Sequence, residues 1–584
     1  MKTKRILSLV LAVVLAGSLL AACGGGGGNA TTAAPAETTA APAETTAAPA
    51  ETTAPAEETT TQEVLQEFDH KDLVVGITAD PKYWDPWSDF NQGRRDTIPV
   101  IYQCLASYVP DLEGGEVIEY LVLAESYENT ADDEWTVKIR ENIVDTAGNK
   151  FDANDVKFCL DTAREKGIWA ELNAVDDIIV KDDYTVVFKT NKNLKVGDFQ
   201  NILTNFPMVT QESYEASADA MVSMPVGTTG YVMESYTAGE SVVFKKADSY
   251  WNDAANESQD PAEGYCPWFD CRILDSITFK FITDDSAMSI ALENGEIDIT
   301  SNLSAANATV LQANPDFAVG TRPGNMYGIS FNVSDTSPTK NINLRQAIAY
   351  AVDSAGVLQL AASGAGTILK AWAYPTYTDW QDAWDSADYF GYDLAKAQDY
   401  LKKYYEETGT TAADLHIRLL TQSSRSDSKI AEAVQGYIVA LTGNENCVEI
   451  VGVERTVYES MWEADDTFDI LLLYGQTDTR TTCCYTWSRQ ANQEKTMSGN
   501  DVWHSNDDEG QRLLQLAIDV DTHSDQTVAD FQKYINDQVY IKNMFSIDTF
   551  IVGKSWISNI GHFSGYKDGL PVCTLRFDWA NSGK

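Results

Sequence analysis

Three copies of Thr-Thr-Ala-Ala-Pro-Ala-Glu run head to tail from Thr31 to Glu51, and a shortened copy continues to Glu57. This segment cannot enter a folded core. It carries no large apolar side chain to bury, and a proline in every copy removes a backbone donor and clashes inside a helix. The seven-residue period therefore does not predict a coiled coil. It predicts a solvated, semi-extended tether over residues 24–64. The folded part must come from the remaining ~520 residues, enough for two or three domains.

Lys2, Lys4 and Arg5 form a basic head, and Ile6 to Leu20 follow without a charge. That apolar run is shorter than the ~20 residues of a comfortable membrane span. A basic head, a short apolar run and small residues predict a secretory signal peptide over residues 1–22. Leu20-Ala21-Ala22-Cys23 resembles the lipobox of bacterial lipoproteins, in which the cysteine is acylated and becomes the mature N-terminus. Cys23 is the expected lipid acceptor, and several acyl chains make a stable anchor where one is marginal. The expected location is the outer face of the cell membrane.

The chain has 42 basic and 87 acidic residues, and removing the three basic residues of the signal leaves a formal charge of −48. Such a surface repels nucleic acid and anionic membranes, so neither is an expected partner of the folded part. Eight cysteines follow Cys23, in a location that permits disulfides. "CPWFDC", Cys266 to Cys271, has the spacing of a local loop bridge. Cys483-Cys484 are read as a vicinal bridge, two thiols or partners of others, and Cys104 and Cys159 as buried thiols. None has zinc-like pairing.

Strands and helices interleave along the folded part, which predicts an α/β fold. "DLVVGITAD" (72–80), "EWTVKIRENIV" (134–144), "DDYTVVFKT" (182–190) and "DLHIRLLTQ" (414–422) read as strands. Helices are expected over 97–109, 152–167, 285–295, 344–353, 393–409 and 428–441. Asp152 suits an N-cap, and Val156, Cys159 and Leu160 line one face of its helix. Gly409 suits a C-terminal stop.

Catalytic signatures are missing from the sequence. The five histidines, His70, His416, His504, His523 and His562, show no metal-ligand spacing, and there is no HExxH, GxSxG, P-loop or GxGxxG. No catalytic residue, cofactor or metal is therefore expected. An exported glycosidase needs only two carboxylates at the right separation, so a hydrolase stays open as an alternative.

An ordered set of segments resembles the family 5, oligopeptide-binding class of extracellular solute-binding proteins that serve ABC importers. Asp80 to Pro86 followed by "IYQCL" resembles the family's opening loop. Leu123 to Phe158 resembles its "LAesW", "kLR" and "A-x-DV-x-F" block. Pro225 to Trp251 resembles "P-x-GTGPY" ending in "YW", with Thr229-Gly230 where Gly-Pro is usual. "ALENGEIDI", "ISFNVSD" and "NLRQAIAYAVD" follow in order. The resemblance implies a two-lobed periplasmic-binding-protein type II fold with an extra subdomain. Lobe I would comprise residues 65–105, 225–330 and 540–584; the extra subdomain 106–224; lobe II 331–539. Ligand would be held as the lobes close and then passed to ABC permease subunits. A monomer is expected.

Peptide-binding members pair an acidic residue with the peptide's α-ammonium soon after "D-(I/L)-x-x-x-G-W". Here "FDILLLYGQTDTR" (468–480) resembles that place, and the resemblance nominates Asp478. Counted from Asp469, Tyr474-Gly475 stand for Gly-Trp; with the glycines aligned, Gln476 replaces the Trp. Trp84, Trp87 and Asn91 lie in the loop after the first strand, and Trp372 and Tyr374 in a lobe II loop; all are candidate ligand contacts. Aromatic faces suit peptide side chains and sugar rings alike. The reading is a lipid-anchored peptide receptor, with an oligosaccharide receptor, an exported hydrolase and a sensor lipoprotein as rivals.

Overall fold

The computed structural model describes residues 71–584, apart from 89–91, 111–116, 168–171, 173, 191–195, 254–271, 386–388, 424, 465, 476, 478–481, 492–496, 498–500, 520, 561–568, 571, 573–574 and 584. Of the nominated residues, Cys23, Asn91, Gln476 and Asp478 lie outside the described set, as do Cys266, Cys271 and Cys573.

An eleven-stranded sheet organises these residues. Its order is Val448–Val453, Ile417–Gln422, Ile470–Gly475, Phe317–Phe331, Ile541–Lys554, Ile299–Leu303, Asp72–Ile77, Ser276–Phe281, Ser241–Lys246 and Tyr231–Thr237. Gly366–Ile368 pairs beside this path with Ile541–Lys554. Asp72–Ile77 runs parallel to both neighbours, and Ile417–Gln422 does the same at the far end. Leu73, Val75 and Ile77 are buried on one face of their strand and Gly76 on the other, and Leu419 and Leu420 bury both faces of Ile417–Gln422, as covered parallel strands require.

Two strands are long enough to serve both ends of the sheet. Phe317–Phe331 has 15 residues and Ile541–Lys554 has 14. Phe317 to Pro323 pairs with Asp548 to Lys554, and Phe550 to Gly553 also pairs with Ile299–Leu303. Met326 to Ser330 pairs with Ile541 to Ser546, and Met326 to Phe331 also pairs with Ile470–Gly475. The register shifts between Pro323 and Met326, and again between Tyr327 and Gly328. Extra residues in one strand bend it and raise its twist. The ladder therefore breaks where these strands pass from one set of neighbours to the other.

Within residues 106–224 a four-stranded antiparallel sheet orders Ala124–Ala131, Glu134–Ile139, Thr185–Thr190 and Val175–Asp182. The helix Ala153–Lys166 packs against the last of these strands. Its N-cap is Asp152 with a full capping box, and Gly167 closes it at φ 72°. Asp152, Val156, Cys159 and Leu160 thus do what the sequence pattern predicts. The helices Asp285–Glu293, Ile342–Ala351, Leu394–Thr408 and Arg425–Thr442 also form where expected.

The expected helix over 97–109 is a correction. A short helix ends at Thr97, Ile98–Val100 is a single 3₁₀ turn, and Ala106–Pro110 is a strand paired with Val117–Leu121. Pro99 and the β-branched Ile98, Val100 and Ile101 make this stretch a poor helix interior. Cys104, Cys159, Cys447, Cys483 and Cys484 are buried thiols, so the vicinal pair is not a bridge. Burial pushes the Cys159 and Cys483 thiols up, the Asp379 carboxylate adding to the effect at Cys483.

Candidate ligand-binding site

The loop after Asp72–Ile77 is pinned by charge. The Asp80 carboxylate accepts from Lys82 N, Tyr236 Oη and Gly239 N at 2.8–2.9 Å. Burial, then that carboxylate, pushes the Tyr236 phenol up to about 12. Further along, Asp85 is buried and takes Lys166 Nζ at 2.9 Å. Fully buried Arg94 donates to Tyr83 O and Asp85 O at 2.6 and 2.5 Å, and its guanidinium lies 4.6 Å from the Tyr83 ring. Charges withdrawn from water in this way hold the backbone where their donors and acceptors are satisfied.

Two nominated tryptophans ride on this loop and differ in what they offer. Trp87 Nε1 donates to Pro207 O at 2.9 Å, and its ring is packed against Phe158 and Tyr214. Its polar atom is spent inside the fold. Trp84 meets the Tyr236 ring edge-on at 4.5 Å, while its Nε1 is buried with no hydrogen-bond partner among the described residues. A buried indole N–H usually has an acceptor, so Trp84 keeps one bond to give.

Trp372 and Tyr374 belong to a different hydrophobic cluster, which gathers Met326, Tyr377, Leu471 and Leu473. The Trp372 ring covers two glycines on adjacent strands. A Cβ on Gly328 would stand 2.8 Å from Trp372 Cζ3, and one on Gly475 3.2 Å from Trp372 Cζ2 and 2.5 Å from Met326 Cε. The backbone must be bare at both places for the indole to lie down. Trp372 Nε1, like that of Trp84, is buried and lacks a partner among the described residues. Thr376 Oγ1 donates to Thr477 O at 3.1 Å, and Thr477 Oγ1 to Gly324 O at 2.7 Å. The Trp372 loop, the end of Ile470–Gly475 and the register break at Gly324 are thereby joined.

Tyr374 sits on the same junction. Burial raises its phenol, the Ser546 and Thr367 side chains oppose this, and the Asp548 carboxylate adds to it. Sequence reasoning nominated Trp372 and Tyr374 and did not single out Met326, Gly328 or Asp548. Gly475 was visible only as a motif position, and its contact with Trp372 spans more than a hundred residues of chain.

Gly475→Ala should cost about 1–3 kcal/mol, because the new methyl overpacks against Met326 and Trp372. The urea midpoint measures it, and Met326→Ala in the same chain should restore part of the loss. An unchanged midpoint would show that the ring and the thioether yield freely.

Among the described residues no group of three His, Cys, Asp or Glu side chains is placed to hold a metal ion, and no helix is long and apolar enough to cross a membrane.

The model of the bacterial extracellular solute-binding proteins, family 5, matches residues 120–496. The glutathione-binding protein GsiB of Escherichia coli (strain K12) is 25% identical over 408 residues, 66% of this chain and 72% of that one. Haemophilus influenzae OppA, solved in complex with RPPGFSPFR, superposes with a TM-score of 0.67 at 19% identity, covering 88% of this chain and 100% of the other. NikA from Staphylococcus aureus, solved with Ni(L-His)2, gives 0.62 at 19% identity over 84% and 96%. The fold is the type II periplasmic-binding-protein fold. Proteins of the matching family are binding components of transporters, not enzymes. With most of its folded part under that family's model, this chain belongs to the bacterial extracellular solute-binding proteins, family 5.

Proposed function

We propose that this solute-binding protein captures peptides between two lobes and delivers them to the permease of an ABC importer, tethered to the outer face of the cell membrane through lipid on Cys23. The lobes are residues 65–105, 225–330 and 540–584 on one side and 331–539 on the other, with 106–224 as the extra subdomain. The observation that carries this reading is the pair of long strands with its break at Pro323 to Met326, flanked by Trp372 and Tyr374. Two strands with interrupted register make a hinge over which closure can trap a solute. Relatives named for glutathione or solved with a peptide favour peptides among the family's ligands. Trp84 and Trp372, whose rings are packed inside the fold, keep indole N–H groups for the ligand, and Asp478 takes the α-ammonium. Oligosaccharides are the second reading, because an indole N–H can equally donate to a sugar hydroxyl.

A thermal-shift screen of the full chain separates the two, with mixed peptide libraries set against oligosaccharides. A ligand at 100 times its dissociation constant should add about 2.7 kcal/mol of stability. Stabilisation by peptides is the expected result. Stabilisation by sugars alone would overturn the peptide reading.

A further inference from the structure

We propose that the Asp548 carboxylate is a specificity contact for a cationic group, an ammonium or guanidinium, on the bound solute. This rests on the solute-capture reading above and names the chemistry that the site selects.

Asp548 occupies an unusual place. The strand Ile541–Lys554 is buried from Ile541 to Ser546 and from Phe550 to Gly553; it opens to solvent at Ile547, Asp548 and Thr549 and again at its last residue. That opening lies opposite Pro323, where the ladder with Phe317–Phe331 loses register. Asp548 is two residues from Ser546 on an extended strand, so both side chains leave by one face. Gly366–Ile368, on the same chain segment as the nominated Tyr374, pairs with Phe545 to Ile547 directly before Asp548. Half-buried Asp548 therefore sits on the strand at the ladder break, directly after the segment paired with Gly366–Ile368.

Half-buried Asp548 also lacks what the fully buried acids have. The Asp145 carboxylate takes Ala147 N, Asn149 N, Thr210 Oγ1 and Ser213 Oγ. The Asp501 carboxylate takes Trp503 N, Ser505 N and Ser505 Oγ. Asp548 has neither hydrogen bond nor ion pair to its side chain among the described residues, and burial alone raises its carboxyl above the usual range. The adjacent cation does not serve it. Arg322 pairs with Thr549 and donates through Nε to Thr549 Oγ1 at 3.1 Å, on the opposite face of the strand. A partly desolvated carboxylate without a donor destabilises its own fold, and an arriving cation relieves that cost. The cation strengthens binding more than it would at a hydrated surface acid.

The test uses the full-length chain, Asp548→Asn, Asp548→Glu and Asp478→Asn. Each is incubated with a mixed library of three- to nine-residue peptides, half with free and half with acetylated N-termini, and separately with maltotriose. Retained species are read by mass spectrometry after gel filtration, and the melting temperature without ligand is recorded. The wild-type chain should retain peptides carrying a free amine or guanidinium. Asp548→Asn should retain them at least tenfold less, with an unliganded melting temperature at or above wild type, and Asp548→Glu should keep part of the retention. Equal retention by Asp548→Asn and wild type would overturn the assignment and leave the peptide reading standing. So would loss confined to Asp478→Asn, which would place the charge contact there alone. Retention of maltotriose only, or of no library member by wild type, would overturn both readings.

Discussion

Replacing Asp469 by alanine should destabilise the folded domain by about 3 kcal/mol, the lower end of the range for removing one partner of a buried charge pair, because Asp469 is buried while Arg418 keeps 26% of its side chain exposed. Asp469 is almost fully buried at the start of Ile470–Gly475. Its carboxylate takes Arg418 Nε and Nη2 at 3.0 Å each, Arg418 N at 2.8 Å and Ser337 Oγ at 2.8 Å. Its backbone N–H returns a bond to Arg418 O at 3.0 Å. One side chain thus fixes two parallel strands and the turn at Ser337. Alanine leaves a guanidinium without its fork partner and a backbone N–H and a hydroxyl without acceptors. The loss should appear as a lower denaturant midpoint. The double variant Arg418→Met with Asp469→Ala should recover part of it, because an apolar pair in place of a buried ion pair is often nearly neutral. A single-variant loss below 1 kcal/mol would show that water entering past the exposed part of Arg418 replaces the carboxylate fully. The strand anchored here ends at Gly475, beneath Trp372, so the same variant should also weaken solute binding.

The sequence motif had marked Asp469 as the origin from which the ligand acid is counted, and the fold gives that residue a structural duty instead. Local signals of this kind were readable where one residue decides one local event. Asp152 caps its helix because a short acidic side chain reaches the free N–H groups, and Gly409 ends its helix by taking the left-handed conformation; neither needs a tertiary partner. The stretch 97–109 misled because "IPVIYQCL" is apolar without a clean period. Its state is set by partners far away in the chain, Gln103 bridging to Met208 and Ala106–Pro110 pairing with Val117–Leu121. The junction was half legible for a similar reason. Trp372 and Tyr374 stand out by type, whereas Gly328, Gly475 and Asp548 matter only because the long strands break register beside them. Nothing in "IKNMFSIDTFIVGK" announces that break. It arises from pairing with residues more than two hundred positions earlier.

Lys542 lies on that same strand and should give the domain a pH dependence of the same sign as acid denaturation, displaced to the alkaline range. Its ammonium is buried, donates to Phe390 O at 2.8 Å, and is lowered to about 7 by burial, with the Asp353 charge opposing. An unfolded lysine titrates near 10.4. Below pH 7 both states hold the proton, and the folded state bears the full cost of a buried charge. Between pH 7 and about 10.4 the unfolded chain binds more protons, so this residue's contribution to stability rises with pH by up to about 5 kcal/mol. Lys542→Met removes the charge but leaves the Phe390 carbonyl without its donor, at about 1–3 kcal/mol. The variant should therefore be more stable than wild type at pH 6, and equal or less stable at pH 10, where neutral Lys542 still donates its bond. Urea midpoints of both proteins from pH 6 to 10 measure the difference, in which the other titrating groups cancel. Parallel curves would show that Lys542 keeps an ordinary pKa through hydration inside the fold. A crossing near pH 8–9 would show that the strand joining both ends of the sheet carries an uncompensated charge, tolerated because its hydrogen bond fixes the Phe390 turn.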